Sequence, residues 1–522
     1  MAAAAAVGGN PDSWEVRIDG AKAELEQNPG REAGSWINLS IYRVPMYICG
    51  RTGTAFRPQV VSLGPYHHGR RPLSLMEEAK HRAFAHLLRE TDKRASDYLE
   101  ALRGCLDEAM DAYEQLDPRW RNNTEEFLQM MVLDGCFVIE ILRKNFTKYF
   151  PSDPVFSQGR QPTIIEYLRR DMLLLENQLP LVVLKRLDDM VAAATGSTSN
   201  LNSLLLKFCF PDNKQVTYRG GGKHMLDVAL QSMLQNLDNA PQEQTGSSPS
   251  WKCMAKPHQV WMYMKGCVNE SCFADKLQEA MIYADGNELL RKSGAKLSQA
   301  WIRLKQITKN SWCPPKKVKE KEERSRKNRR SAKELCQVGI GFQRSKSNGL
   351  REIKFTKQDD ILHLPTITID HNSESMFLNF IAFEQLHLSQ DRLMTSYFLF
   401  MNGLITSAED VKLLRDCEII DSSVANDITI ARMIEKLTKG LSFSENDELY
   451  QTQQDLNDYY TESEKRCKRK AKTWYSNMCE TYFASPWTII KLGAGEESRL
   501  VDSKIPVRVP PPSRKFIRGV IP

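Results

Sequence analysis

The chain has 522 residues, 41% of them apolar and 26% charged, which is ordinary for a soluble globular protein and excludes a mainly disordered one. Its length predicts one large domain or two closely packed domains. No uninterrupted apolar run reaches the ~18 residues that a membrane-spanning helix needs, so we expect no transmembrane segment.

The first 35 residues are rich in alanine and glycine and then polar, which predicts a flexible leader before a folded region that begins near Trp36. They lack the basic start and the long apolar stretch of a secretory signal. The twelve cysteines lack the short paired spacings of zinc sites and disulfide scaffolds, so we expect reduced thiols in an intracellular compartment.

Two amphipathic helices are predicted early in the chain. Residues 74–90 begin with a capping-box pattern, Ser74 and Glu77, and repeat apolar residues at helical spacing. Residues 125–145 carry a second apolar stripe, into which Asp134 falls. A carboxylate on such a stripe is a candidate buried charge.

The next segments differ in character. Residues 163–187 predict two helices that meet near Pro180, because proline disfavours helix at the preceding residue and suits the first turn of a new one. Residues 190–250 have loop compositions, and we expect a poorly ordered variable loop there.

Residues 338–370 alternate β-branched and aromatic runs with turn residues, among them Asn348 and Gly349, which favour a tight hairpin. Helical patterns follow, including one capped by Ser407 and Asp410 and a long polar helix over 448–483. The predicted fold class is mainly α, a large helical domain with a small antiparallel β-meander near residues 338–370. The main folded domain is predicted to span residues 36–490.

A basic segment at residues 314–333 accounts for the whole net charge of +7, so the rest of the chain is close to neutral. It fits a solvated loop, a contact with anionic lipid or a bipartite nuclear localisation signal. Specific nucleic-acid binding is not expected, because the run contains no aromatic residues. These three interpretations depend on the basic residues Lys316, Lys317, Arg326, Lys327, Arg329 and Arg330.

A series of segments, taken in order, carries a family resemblance. They include "IYRVP" at 41–45, "FRPQVVSLGPYHHG" at 56–69, "MMVLDGCFVIEIL" at 130–142 and "LLLENQLPLVVL" at 173–184. Together they resemble the plant domain of unknown function 247 (DUF247) family over roughly residues 38 to 490. The resemblance implies a mostly helical plant protein without an established catalytic mechanism. Some grass members resemble determinants of self-incompatibility.

Typical members of that family carry a C-terminal transmembrane anchor, and this chain departs from them. After Trp487 the apolar start is cut by Lys491 and two adjacent acids, and residues 491–522 predict an extended, proline-rich basic tail. We therefore expect a cytoplasmic protein, weakly and reversibly associated with membranes, with the nucleus as alternative. An altered C-terminal exon or gene model would explain the departure.

The turn at residues 61–69, "VSLGPYHHG", holds the candidates for chemistry. Tyr66, His67 and His68 fit a tight connection in which Tyr66 and one histidine bond to the first helix. They also fit a metal-dependent or hydrolytic site, with Cys136 as a conceivable nucleophile. The histidine spacing argues against zinc, so no metal, cofactor or catalytic residue is predicted.

Other polar candidates are interpreted as structural. We expect Asp134 to pair with Arg43 or with backbone amides of the 61–69 turn, since a buried carboxylate is costly unless paired. Glu176 and Asn177 precede Pro180 and should bond to backbone groups where one helix ends and the next begins, with ligand binding as alternative. The predicted function is a non-enzymatic interaction protein with an unknown protein partner, in signalling or self-incompatibility-type recognition.

Overall fold

The computed structural model describes residues 14–27, 38–50, 53–143, 148–156, 161–197, 200–211, 218, 220–234, 329–345, 349–387, 391–422, 426–444 and 447–482. The chain divides into two compact units. The first comprises Met1–Lys252, Arg330–Cys336 and Ile340–Leu456, and the second Cys253–Arg329, Gln337–Gly339 and Asn457–Pro522. Of the second unit, the structure describes chiefly the helical residues 457–482. All contacts discussed below lie within the first unit.

The protein is mainly α-helical, as predicted. The first helices are α1 (Trp14–Gln27), α2 (Met46–Cys49), α3 (Ser74–Thr91), α4 (Ala95–Arg103), α5 (Leu106–Asp111), α6 (Pro118–Asn122), α7 (Thr124–Arg143), α8 (Gln161–Met172), α9 (Leu181–Thr195), α10 (Leu201–Cys209) and α11 (Met225–Leu234). After residues outside the described ranges come α12 (Ala332–Gln337), α13 (Ser373–Leu386), α14 (Leu393–Leu404), α15 (Ala408–Asp416), α16 (Asp427–Leu437) and α17 (Glu448–Tyr482). In the part of the chain that is described, no helix is long and apolar enough to cross a membrane.

The small sheet differs from the predicted antiparallel meander. Strands β1 (Gly341–Arg344), β2 (Lys354–Thr356) and β3 (Ile361–Leu364) lie in the order β1-β3-β2. β3 is antiparallel to β2 but parallel to β1. The predicted meander is therefore wrong in its strand order, because β3 lies between β1 and β2. A 3-10 turn at Leu350–Glu352 precedes β2. Strands β4 (Ile367–Thr368) and β5 (Ile420–Asp421) form a separate parallel pair.

Helix α7 forms the centre of the first unit. It packs against α3, α4, α6, α9 and α10, and most of its residues from Phe127 to Leu142 are buried. Gly135 allows α9 to approach closely, because a Cβ there would lie 2.4 Å from Leu187 Cδ1 on α9. The apolar stripe predicted for this helix understates its burial, since Asp134 and Glu140 are buried as well.

Two regions predicted without structure contain helices. Within the predicted variable loop 190–250, α10 and α11 are helical and bury most of their side chains, because both segments are dense in leucine. Within the predicted leader 1–35, residues Trp14–Gln27 form α1, whose Trp14 side chain is 68% exposed. Turn-rich flanks concealed all three helices from a composition argument. The tail at 491–522 lies outside the described residues.

The helix caps agree with the sequence in one case and not in another. Ser407 and Asp410 form the predicted capping box of α15. At α3, however, Leu73 occupies the N-cap position without a side-chain hydrogen bond, so the predicted box of Ser74 and Glu77 is wrong. Glu77 accepts from Ser62 Oγ and Lys80 Nζ instead.

The cysteines are not all reduced thiols. Cys105, Cys136 and Cys209 are free and buried, and Cys49 and Cys417 are free and half-buried. Cys336 is joined in a disulfide, which corrects the expectation at that position. Sequence spacing could not reveal it, because disulfide connectivity between distant cysteines cannot be deduced from sequence alone.

Glu384 caps a buried helix start. This carboxylate on α13 accepts from Met394 N at 2.7 Å, from Thr395 N at 2.8 Å and from Thr395 Oγ at 2.7 Å, at the beginning of α14. Burial raises the pKa of Glu384 to about 7, although the hydrogen bonds from Thr395 and Met394 oppose the rise. The folded protein therefore binds a proton at pH values where the unfolded chain has released it.

We predict that Glu384 makes the free energy of unfolding fall as pH rises from about 4.5 to about 7. The folded pKa lies above the unfolded one, so the stabilisation present at low pH is lost through this window, by on the order of 3 kcal/mol. Glu384→Gln should remove this slope in denaturant titrations at several pH values. Glu374→Gln, on the same helix but half-exposed, should retain it, and an unchanged slope in Glu384→Gln would contradict the assignment.

Candidate functional site

The 61–69 turn lies at the centre of a buried polar network. Residues 59–64 have no regular secondary structure and lie against side chains of α3, α7 and α8, so their backbone groups need partners outside a helix or sheet. Four buried side chains supply most of those partners. We call Lys80, Asp134, Asp171 and Asn177 the polar clamp.

Asp171 and Asn177 bind the first half of the segment. Asp171 Oδ2 accepts the backbone N–H groups of residues 59, 60 and 61 at 2.8, 2.7 and 3.1 Å. Asn177 Oδ1 accepts Leu63 N at 2.7 Å, and its Nδ2 donates to Val61 O at 3.1 Å. Burial raises the pKa of Asp171, whereas the three amides and Arg170 lower it. One carboxylate and one amide thus satisfy five backbone groups.

Asp134 and Lys80 bind the second half. Asp134 Oδ2 accepts Gly64 N at 2.8 Å, and its Oδ1 lies 2.6 Å from Lys80 Nζ. Lys80 Nζ also donates to Ser62 O at 2.6 Å and to Glu77 Oε1 at 2.7 Å. The amide in the turn is one of the two partners expected for Asp134. The cation is Lys80, which corrects the expected pairing with Arg43.

The ion pair is stable only because each member has other partners. Burial raises the pKa of Asp134 and acts to lower that of Lys80, but the carboxylates of Asp134 and Glu77 raise the Lys80 pKa above its ordinary value. Lys80 is fully buried. The sequence does indicate that Lys80 is buried, because Lys80 lies four residues after Met76 and three before Ala83, on the apolar side of α3.

Gly64 permits the close approach on which the clamp depends. Its φ is +69°, and a Cβ there would lie 2.7 Å from Tyr113 Oη and 2.9 Å from the backbone oxygen of Gln178. Tyr113 Oη donates to that same Gln178 carbonyl at 2.9 Å. Gly69 also has a positive φ, +77°, but open space around it.

Gln178 was missed by the sequence argument. Its Nε2 donates to Met172 O and Leu174 O, both at 2.8 Å, where α8 ends. Its Oε1 accepts Leu226 N at 3.0 Å in α11. Asn177 Nδ2 donates to Asp171 O at 2.9 Å beside it. Backbone groups at the break between α8 and α9 are thus tied by Asn177, as expected, and by Gln178.

Tyr66 and Arg43 lie on the outer side of the turn. Tyr66 Oη donates to Ile41 O at 3.1 Å and to Glu114 O, rather than to the first helix as expected. The guanidinium of Arg43 lies 4.2 Å from the centre of the Tyr66 ring. Glu176 Oε1 accepts Val44 N at 2.8 Å, so Glu176 binds the segment at 41–45 rather than a helix end.

The histidines do not converge. His67 is buried with Nε2 3.4 Å from Glu176 Oε2, whereas His68 packs its edge on Trp120 and His86 packs on Tyr149. No group of three or more histidine, cysteine, aspartate or glutamate side chains within the described ranges is placed to bind a metal ion. Burial raises the pKa of the Cys136 thiol well above its usual range, which opposes a nucleophilic role.

The basic segment is described only at its end. Four of its basic residues lie outside the described residues, namely Lys316, Lys317, Arg326 and Lys327. The roles predicted for them stay predictions. Arg330 lies 3.9 Å from Glu334, and Lys333 N donates to Asp410 Oδ1 at 2.9 Å at the start of α12. The last residues of the predicted loop are therefore folded against α15.

Comparison with known proteins gives the family. A model of the DUF247 family, described as a plant protein of unknown function, matches residues 41–495. The chain belongs to the DUF247 family. The UPF0481 protein At3g47200 of Arabidopsis thaliana is 26% identical over 89% of this chain and 84% of the relative. The putative UPF0481 protein At3g02645 of the same plant is 23% identical over 91% and 90%. No solved structure matches this DUF247 protein.

We predict that a double-mutant cycle identifies Lys80 as the partner of Asp134. Asp134→Asn should cost about 3–5 kcal/mol, because it leaves a buried ammonium group without its main counter-charge. Adding Lys80→Met should restore part of the loss, whereas adding Arg43→Met should be additive. Chemical denaturation of the three single and two double variants measures this, and strict additivity with Lys80→Met would contradict the pairing.

The two turn glycines give a matched pair of substitutions. Gly69→Ala should cost about 1 kcal/mol, the strain of a left-handed alanine alone. Gly64→Ala should cost at least about 3 kcal/mol, because the added methyl group also displaces the Gln178 backbone and separates Gly64 N from Asp134. Equal losses in thermal or denaturant unfolding would contradict the close approach.

Proposed function

We propose that this DUF247 protein acts by binding other proteins and not by catalysis, in signalling or in self-incompatibility-type recognition. The observation that supports this proposal is that the polar residues at the turn are occupied in holding the backbone. Asp134, Asp171, Asn177 and Lys80 are buried and bonded to backbone groups. Groups engaged in this way have little freedom to bind a substrate or move a proton.

The surface beside the turn has the composition of protein interfaces. Met46 and Tyr47, on the one-turn helix α2, are 81% and 79% exposed, and α2 has no buried residue. Arg43 stacks on Tyr66 close by in the chain. Tyrosine, methionine and arginine are enriched in the contact surfaces of protein complexes.

The test begins with protein co-purified from plant tissue and continues with a purified partner. Met46→Ser combined with Tyr47→Ser should weaken the partner's binding at least tenfold, the effect of losing about 1.4 kcal/mol. Phe150→Ser, which changes a side chain that is 80% exposed outside this segment, should leave it unchanged.

Two outcomes would contradict the proposed function. One is equal binding by the Met46/Tyr47 double variant and the Phe150 variant to every partner found. The other is an esterase or peptidase activity, or stoichiometric metal, that His67→Ala or His68→Ala abolishes. Either would favour the alternative of an enzyme that uses the 61–69 turn.

We also propose a cytoplasmic location, with weak association of the basic segment with anionic membrane surfaces, and the nucleus as alternative. The ten basic residues among positions 316–333 favour such contacts. High-salt washing of plant membranes should release the protein. The disulfide of Cys336 opposes this location, because disulfides are rare in the cytosol.

A further inference from the structure

His67 differs from the residues of the polar clamp, although it belongs to the same turn. Its side chain is 1% exposed, and neither ring nitrogen has a hydrogen-bond partner among the described residues. A buried polar group without a partner costs about 1–3 kcal/mol, so its retention calls for an explanation. Tyr66, its neighbour, is by contrast bonded to two carbonyl groups.

The group nearest to His67 is a carboxylate with a second task. Glu176 Oε2 lies 3.4 Å from His67 Nε2, while Glu176 Oε1 accepts Val44 N at 2.8 Å. Burial raises the pKa of Glu176, but His67 and the Val44 amide lower it by more, so its pKa lies below the ordinary value. Glu176 is therefore an anion at neutral pH.

The segment that Glu176 binds is attached mainly through the residues before Val44. The backbone of Ile41 is bonded to Ala112 and Glu114, Tyr66 donates to Ile41 O, and Tyr42 Oη is hydrogen-bonded to His387. Beyond Val44 the chain forms α2, which buries no side chain. Elements with little buried apolar surface open locally at low free energy, so the bond at Val44 contributes to how firmly α2 is attached.

We propose that His67 and Glu176 form a proton-operated latch on residues 44–49. In the structure, His67 Nε2 and Glu176 Oε2 are close but lack the geometry of a hydrogen bond. A proton on His67 makes it a donor at both nitrogens and turns the contact into a charge-assisted hydrogen bond. That bond fixes Glu176 in the position from which it binds Val44. Histidine is suited to such a role because its charge changes near physiological pH.

Other charged and titratable groups surround the pair and act with it. Cys49 lies on the latched segment, and Arg43, which directly precedes it, favours the Glu176 anion. Glu114 accepts Arg43 N, and Tyr42 and Tyr66 complete the surroundings. The opposite charges of Arg43 and Glu114 offset each other at this position. His387, which is hydrogen-bonded to Tyr42 Oη at 2.8 Å, is titratable as well, and burial lowers its pKa.

Hydrogen exchange followed by mass spectrometry on the full chain, without any partner, tests the latch. After correction for intrinsic rates, peptides covering residues 44–49 should gain protection at least about fivefold between about pH 7.5 and pH 5.5. Protection of a peptide from α13 serves as the reference for global unfolding, since Glu384 changes the global stability in the same pH range. The result is independent of the proposed function.

Variants assign the effect to the pair. His67→Gln and Glu176→Gln should each abolish the pH-dependent protection, while His81→Gln, which changes an exposed histidine on α3, should keep it. Wild-type protection that does not change with pH, or a change that survives in His67→Gln, would overturn the proposal. If His67→Gln fails to fold, Glu176→Gln and the titration of the His67 ring by NMR decide the question.

Discussion

The structure of the first unit depends on one constraint: residues 59–64 are largely buried without belonging to a helix or a sheet. Buried backbone N–H and C=O groups must be bonded, and here they cannot bond to one another. Asp171, Asn177, Asp134 and Lys80 supply their partners from helices α3, α7 and α8 and from the turn between α8 and α9. The charged members are stable in the interior because each has several partners, and removing one partner leaves a charge uncompensated.

This arrangement connects parts of the chain that are far apart in sequence. The same turn between α8 and α9 that carries Asn177 also bonds α13, since Leu175 N donates to Asn379 Oδ1 at 2.8 Å. Asn379 Nδ2 in turn donates to Ala55 O at 3.1 Å, next to the clamped segment. Segments 53–64, 171–178 and α13 are thus bound by side-chain amides and carboxylates as well as by apolar packing. The outer segment at 41–49 is attached to this centre through Glu176 and Tyr66, and it carries the exposed Met46 and Tyr47.

Sequence reasoning reached the parts of this account that depend on local pattern. The helices α3, α7 and α9, the cap of α15 and the anomalous Asp134 follow from spacing, and the family from a series of short segments. It failed where the partner is chosen by the tertiary fold. Asp134 needed a cation, and Lys80 was available on the apolar side of α3, but a lysine at the edge of a stripe resembles one that extends to solvent. Strand propensity likewise located β1 and β3 without revealing that they are parallel neighbours, because residue preferences do not encode strand order.

Site-resolved hydrogen exchange in the native protein tests the central claim most directly. The amides of residues 59, 60, 61, 63 and 64 are donors to the polar clamp. If these bonds organise the first unit, the five amides exchange only through global unfolding, as slowly as the amides at the centre of α7. Exchange of these five amides at rates typical of surface loops, while α7 stays protected, would contradict the account.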